Sequence, residues 1–89
     1  MLKLVTVRQF EKDVALAVKR GKNMDKLKAV ITNLVNQEPL SPTYKDHLLA
    51  GNYTNHRELH LEPDWLLIYK IDEIELILIR TGSHSDLFK

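Results

Sequence analysis

The spacing of hydrophobic positions changes twice along this chain. Leu2, Leu4 and Thr6 alternate with Lys3 and Val5, the period-two pattern of a short strand. From Val7 the period lengthens. Phe10, Val14, Ala17 and Val18 recur at helical spacing and set one apolar stripe toward a core. Gly21 falls just after the last of them, where a helix stops. Asn23 is placed to cap a second helix, whose stripe runs through Met24, Leu27, Val30, Ile31, Leu34 and Val35. Glu38-Pro39 closes it, because proline disfavours helical geometry in the residue before it. Two antiparallel helices joined by a short loop are the expected product.

The segment 39–55 has no period and reads as a long irregular loop, a place where compact domains often carry function. Period two returns over 56–62, with Arg57, Leu59 and Leu61 on one face and His56, Glu58, His60 and Glu62 on the other. Pro63-Asp64 makes a turn. Trp65–Ile71 and Ile74–Ile79 are nearly continuous apolar runs separated by Asp72-Glu73, as expected of buried central strands. Lys70 and Glu75 flank that turn and are placed to pair across it. Gly82 breaks the last strand, and a short tail, Ser83–Lys89, follows. The order strand, helix, helix, then three strands predicts a single α+β domain over residues 1–89, with two N-terminal helices packed on a mostly antiparallel four-stranded sheet.

Composition narrows the function classes. The chain has 89 residues, 44% hydrophobic and 28% charged, a balance that folds rather than one that stays disordered. Cysteine is absent, which excludes disulfides, thiol nucleophiles and zinc–thiolate sites. The N-terminus lacks the layout of a signal peptide, and no apolar run approaches the roughly 20 residues of a membrane helix. A soluble cytoplasmic protein with no membrane partner is expected. Net charge is only +1, but it is unevenly spread. Residues 1–45 hold nine Lys/Arg against four Asp/Glu, and residues 46–89 hold four against eight. The densest basic cluster, Lys19, Arg20, Lys22, Lys26 and Lys28, could track phosphates or be a solvated face.

Candidate chemistry centres on histidine. His47 lies in the long loop, His60 on the polar face of a strand, and His84 just after the strand-ending Gly82. Imidazole exchanges protons near neutral pH, which suits metal-free RNA cleavage by attack of the 2′-hydroxyl on the adjacent phosphate. Asp64 could orient a neighbouring imidazole, with His60 the expected partner. Arg57 or Arg80 could hold phosphate oxygens. Against this, isolated histidines are often surface residues, Asp64 could be a turn residue, and Trp65 could be core. A metal site has no matching motif. His56 and His60 lie roughly 13 Å apart along a strand at about 3.3 Å per residue, too far to share an ion.

Three segments carry a family resemblance. Tyr44-Lys45-Asp46-His47-Leu48-Leu49-Ala50-Gly51, the stretch from Arg57 through His60, Pro63, Asp64 and Trp65 to Lys70, and Arg80-Thr81-Gly82-Ser83-His84-Ser85-Asp86-Leu87-Phe88 resemble, in order and spacing, the motifs of YafQ-like toxins of the RelE/ParE superfamily. The resemblance covers essentially the whole chain. It implies a RelE-like fold with a curved sheet, and ribosome-dependent, metal-independent cleavage of messenger RNA without a cofactor. It also implies a cognate antitoxin. The basic cluster from Lys19 to Lys28 fits docking on ribosomal RNA, and the free toxin is expected to be monomeric. Carried over by position, the site falls on His47, His60, Asp64, Trp65, His84 and Phe88. In this scheme His84 is the expected acid and His60 the expected base, although the two labels are exchangeable. His47 assists, and Trp65 and Phe88 shape the site or stack on a base. The rival within the superfamily is a ParE-like toxin that inhibits a DNA topoisomerase by binding, which has no need of the histidines.

Overall fold

The computed structural model describes residues 1–88 and shows the expected α+β architecture with two additions. Strand β1 (Lys3–Thr6) leads into helices α1 (Arg8–Lys19) and α2 (Met24–Val35). A two-residue strand β2 (His47–Leu48) follows, then β3 (Arg57–Glu62), β4 (Trp65–Asp72) and β5 (Glu75–Gly82). A one-turn helix α3 (His84–Leu87) ends the described chain. The five strands form one mixed sheet in the order β1-β5-β4-β3-β2. Only the β1–β5 pair is parallel.

The expected four-stranded sheet is therefore five-stranded. The long loop contributes β2, which pairs His47 with Glu58 and Leu48 with Arg57 at the sheet edge. Two residues are too few to show a period, so the element was hidden in the sequence. The expected tail is likewise α3 through Leu87, while Lys89 lies outside the described residues.

Both long helices cover the same face of the sheet. Phe10 and Ala17 from α1, and Leu27, Val30 and Leu34 from α2, pack on Leu59, Leu61, Trp65, Leu67, Tyr69, Leu76 and Leu78. Val18, expected on the α1 stripe, points to solvent instead. Asn23 caps α2 as expected, accepting a hydrogen bond from the Asp25 amide at 2.9 Å. The opposite face holds a smaller cluster, Leu66, Ile68 and Leu87, with Leu49, Tyr53 and Ile79 against it.

The strand pairing has two irregularities. Pairing of β4 with β5 slips by one residue at Ile79, so Arg80 comes opposite Ile68. A similar shift in β3 lies between His60 and Glu62. The β4–β5 turn is displaced from its expected place. Asp72 pairs with Glu75, and the turn residues are Glu73, at φ +53°, and Ile74. Lys70 consequently faces Ile77 rather than Glu75. No helix among the described residues is long and apolar enough to cross a membrane.

Candidate active site

His47 stands on β2, His60 on β3 and His84 at the first position of α3, and the fold brings all three together on the face opposite the long helices. The His47 and His60 ring centroids are 6.3 Å apart, and those of His60 and His84 are 5.9 Å apart. The row continues to Phe88, 6.4 Å from His84, and then to Tyr53, 6.0 Å from Phe88. Phe88 is 43% exposed, so solvent reaches part of it.

Each ring is oriented by an oxygen partner. Nδ1 of His47 lies 2.7 Å from the Lys45 carbonyl. A carbonyl only accepts, so this nitrogen carries the proton and Nε2 turns toward Glu58 at 3.6 Å. Nε2 of His60 lies 3.5 Å from the same Glu58 oxygen. Nδ1 of His84 is 2.7 Å from Oδ1 of Asp64, and that oxygen also accepts the His84 backbone N–H at 2.9 Å. This pair of hydrogen bonds holds the Asp64 carboxyl below its ordinary range, the backbone bond contributing most. It also leaves Nε2 as the outward nitrogen of His84.

Asp64 thus orients His84 and not His60, contrary to the pairing expected from sequence. It precedes Trp65 by one residue and reaches across to the N-terminus of α3, a contact that spans 20 residues of chain. The carboxylate beside His60 is Glu58, which sequence reasoning passed over as one polar strand residue among four. The available signal was its period-two relation to His60, which puts both side chains on one face. Glu58 is 4% exposed, and the His47 and His60 imidazoles lie 3.6 and 3.5 Å from its Oε1. Nitrogen and oxygen atoms of His47, Glu58 and His60 all lie within 4.8 Å of one another, a set able to gather around a divalent cation. His56 stays apart, donating from Nδ1 to the Thr54 carbonyl and packing edge-on to Tyr53.

Other expected site residues are engaged elsewhere. Trp65 is buried in the helix-side core with 1% exposure, so its ring offers no open face to a base. Its Nε1 has no hydrogen-bond partner among the described residues, and Lys22 Nζ sits 5.8 Å from the ring centroid. Arg57 projects to the helix side of β3 and grips Asp46, which also accepts the Tyr69 hydroxyl at 2.6 Å. Burial, and then this hydrogen bond, push the Tyr69 phenol well above its usual range. Arg80 donates to the buried carboxylate of Asp13 through Nε at 2.6 Å and Nη2 at 3.2 Å. The same carboxylate accepts the Thr81 amide at 3.2 Å, closing the edge of β5 beyond the end of β1.

The basic cluster is partly neutralised within the molecule. Arg20 binds Asp86 through both terminal nitrogens, and Lys22 and Lys26 share Glu62. No ion pair within 4.0 Å is recorded for Lys19 or Lys28 among the described residues.

With this geometry in place, comparison with known proteins decides the family. Residues 2–89 match the model of the YafQ family, described as a bacterial toxin of the type II toxin-antitoxin system. The chain belongs to the YafQ toxin family. It is 51% identical over 81 residues to the mRNA interferase toxin YafQ of Escherichia coli K12, covering 90% of this chain and 88% of the relative. The solved structure of YafQ from E. coli strain BL21(DE3) superposes with a TM-score of 0.95 at 44% identity, over 100% of both chains. YafQ in the E. coli DinJ-YafQ complex superposes with a TM-score of 0.92 at 46% identity, again over 100% of both chains.

Proposed function

We propose that this YafQ-family protein is the toxin of a type II toxin-antitoxin pair and an mRNA interferase, an endoribonuclease that cuts messenger RNA on the ribosome without a metal ion. The observation that carries this reading is the convergence of His47, His60 and His84 in one row, with His47 held by the Lys45 carbonyl, His84 held by Asp64, and Glu58 lying beside both His47 and His60. Cleavage by 2′-hydroxyl attack needs one group to take the hydroxyl proton and another to give a proton to the departing 5′ oxygen. His84, whose Nδ1 is held by Asp64, presents Nε2 as the donor to the leaving oxygen. His60 takes the hydroxyl proton. Glu58 fixes the spacing of His60 from His47, and His47 relays the proton or neutralises the phosphate. Phe88, with Tyr53 behind it, stacks on a base beside the scissile phosphate.

Lys19 and Lys28, with the exposed part of Lys26, supply phosphate contacts to ribosomal RNA. Arg57 and Trp65 serve the fold in this scheme. Arg80, committed to Asp13, keeps Nη1 for a phosphate oxygen. The protein is cytoplasmic, is a monomer when free, and is silenced by a cognate antitoxin; the solved E. coli DinJ-YafQ toxin-antitoxin complex of its relative supports the antitoxin partner alone.

The test is cleavage of ribosome-bound message by single variants. His84→Gln and His60→Ala should each lower kcat by about 10²–10⁴-fold, the usual worth of a general acid or base, with activity unaffected by a chelator. Full activity in both variants would remove the two assigned roles.

A further inference from the structure

Helix α3 carries His84 and precedes Phe88, yet it has only four residues. An isolated helix of that length is unstable, so its orientation must come from contacts outside itself. Three such tethers are present. Leu87 is buried against Leu66 and Ile68. The His84 amide and ring hold Asp64. The third tether comes from the far end of α1, where Arg20 donates to Asp86 from Nη1 at 2.6 Å and from Nη2 at 3.3 Å.

Asp86 is the organising residue of this small helix. Its Oδ2 accepts the Ser83 amide at 2.9 Å, and the Ser83 hydroxyl accepts the Asp86 amide at 3.1 Å, a reciprocal cap. The carboxylate is also packed tightly against Gly82, where any Cβ would lie 2.9 Å from Asp86 Oδ2. It therefore has little room to rotate, and the position of the Arg20 guanidinium is passed to the backbone of α3. The hydrogen bond from Arg20, followed by that of the Ser83 amide, holds the Asp86 carboxyl well below its usual range.

We infer that Arg20 is a positioning residue for catalysis: through Asp86 it fixes the helix that presents His84 to His60. A fork of two donors sets direction as well as distance, which a single lysine amine does not. Exposed ion pairs add little to global stability, so the effect belongs to the geometry of the site. Arg20 accordingly leaves the set of RNA contacts that the basic cluster suggested, since its terminal nitrogens are committed to Asp86. This inference rests on the reading of His84 as a proton-transfer group in RNA cleavage.

The experiment measures single-turnover cleavage of ribosome-bound message alongside hydrogen exchange of the His84 and Phe88 amides, in wild type, Arg20→Met, Arg20→Gln and Arg20→Lys. Loss of the fork should lower kcat about tenfold or more, because small misplacements of reacting groups are costly. In the same variants KM should stay within about twofold, the signature of an interaction used in the transition state. Exchange at His84 should quicken while the melting temperature stays close to wild type. Arg20→Lys should recover part of both kcat and protection. The glutamine variant guards against a folding defect peculiar to methionine.

A rise in KM with kcat unchanged would make Arg20 a phosphate contact and overturn the inference. Unchanged His84 exchange in the methionine and glutamine variants would overturn it as well. If wild type cuts no message, the nuclease reading fails, and the exchange measurement still decides whether Arg20 fixes α3.

Discussion

At the residue scale, the candidate site is a row of imidazoles, two of them set by hydrogen bonds to an oxygen. The three histidines and Asp64 were legible in sequence because each sits inside a family motif. Their pairings were not, because they depend on which strand faces which. Asp64 joins the start of α3 through a turn, and Glu58 meets His47 only when the edge strand β2 forms. The structure assigns Asp64 to His84, and a prediction follows for Asp64→Asn. Asparagine keeps an oxygen for the His84 amide but loses the charge beside the ring. Message cleavage should fall about 10–10²-fold with a nearly unchanged melting temperature, since Asp64 is exposed. An equally large loss in His60 variants but none in Asp64→Asn would return Asp64 to a plain turn residue.

At the element scale, the long helices and central strands follow from period alone. β2 and α3 do not, yet they carry two of the three histidines. β2 and α3 are too short to show a repeat and are held by distant partners, the edge of β3 and the end of α1. Another feature hidden from sequence is the pairing of Arg80 with Asp13 across 67 residues. No period or motif in the sequence marks Asp13, which is buried where β5 runs past the end of β1. Asp13→Asn removes the charge that Arg80 and the Thr81 amide share. Denaturant unfolding should show a loss of about 1–3 kcal/mol, the cost of poorly satisfied buried donors. A loss near zero would mean that solvent replaces the carboxylate at the partly exposed guanidinium.

At the scale of the whole molecule, carboxylates tie the C-terminal half to the basic N-terminal half. Asp86 binds Arg20, and Glu62 binds Lys22 and Lys26, the Lys26 hydrogen bond being the largest cause of its lowered pKa. Asp86, Glu62 and Asp64 all have folded pKa values below their ordinary ones. Their stabilisation is therefore complete above the unfolded carboxyl range, about 4, and is lost as pH falls through the lower folded values. The contribution of these three solvent-accessible carboxylates, small for the whole fold, should be constant down to about pH 5 and fade below about pH 4, with α3 amides losing exchange protection first. Global unfolding with no earlier loss at α3 would contradict this order. The charge asymmetry was visible in the sequence, but its internal cancellation was not. Which cations of the basic cluster stay unpaired depends on where Glu62 and Asp86 fall in the fold.

The chemistry itself is tested most directly by the ends of the cut message. A ribosome-bound message carrying one 2′-deoxynucleotide on the 5′ side of the scissile phosphate should resist cleavage there. The all-ribose message should yield a 2′,3′-cyclic phosphate and a 5′-hydroxyl. Cleavage of the deoxy message, or products ending in a 3′-hydroxyl and a 5′-phosphate, would contradict proton transfer by these histidines to and from the 2′ and 5′ oxygens.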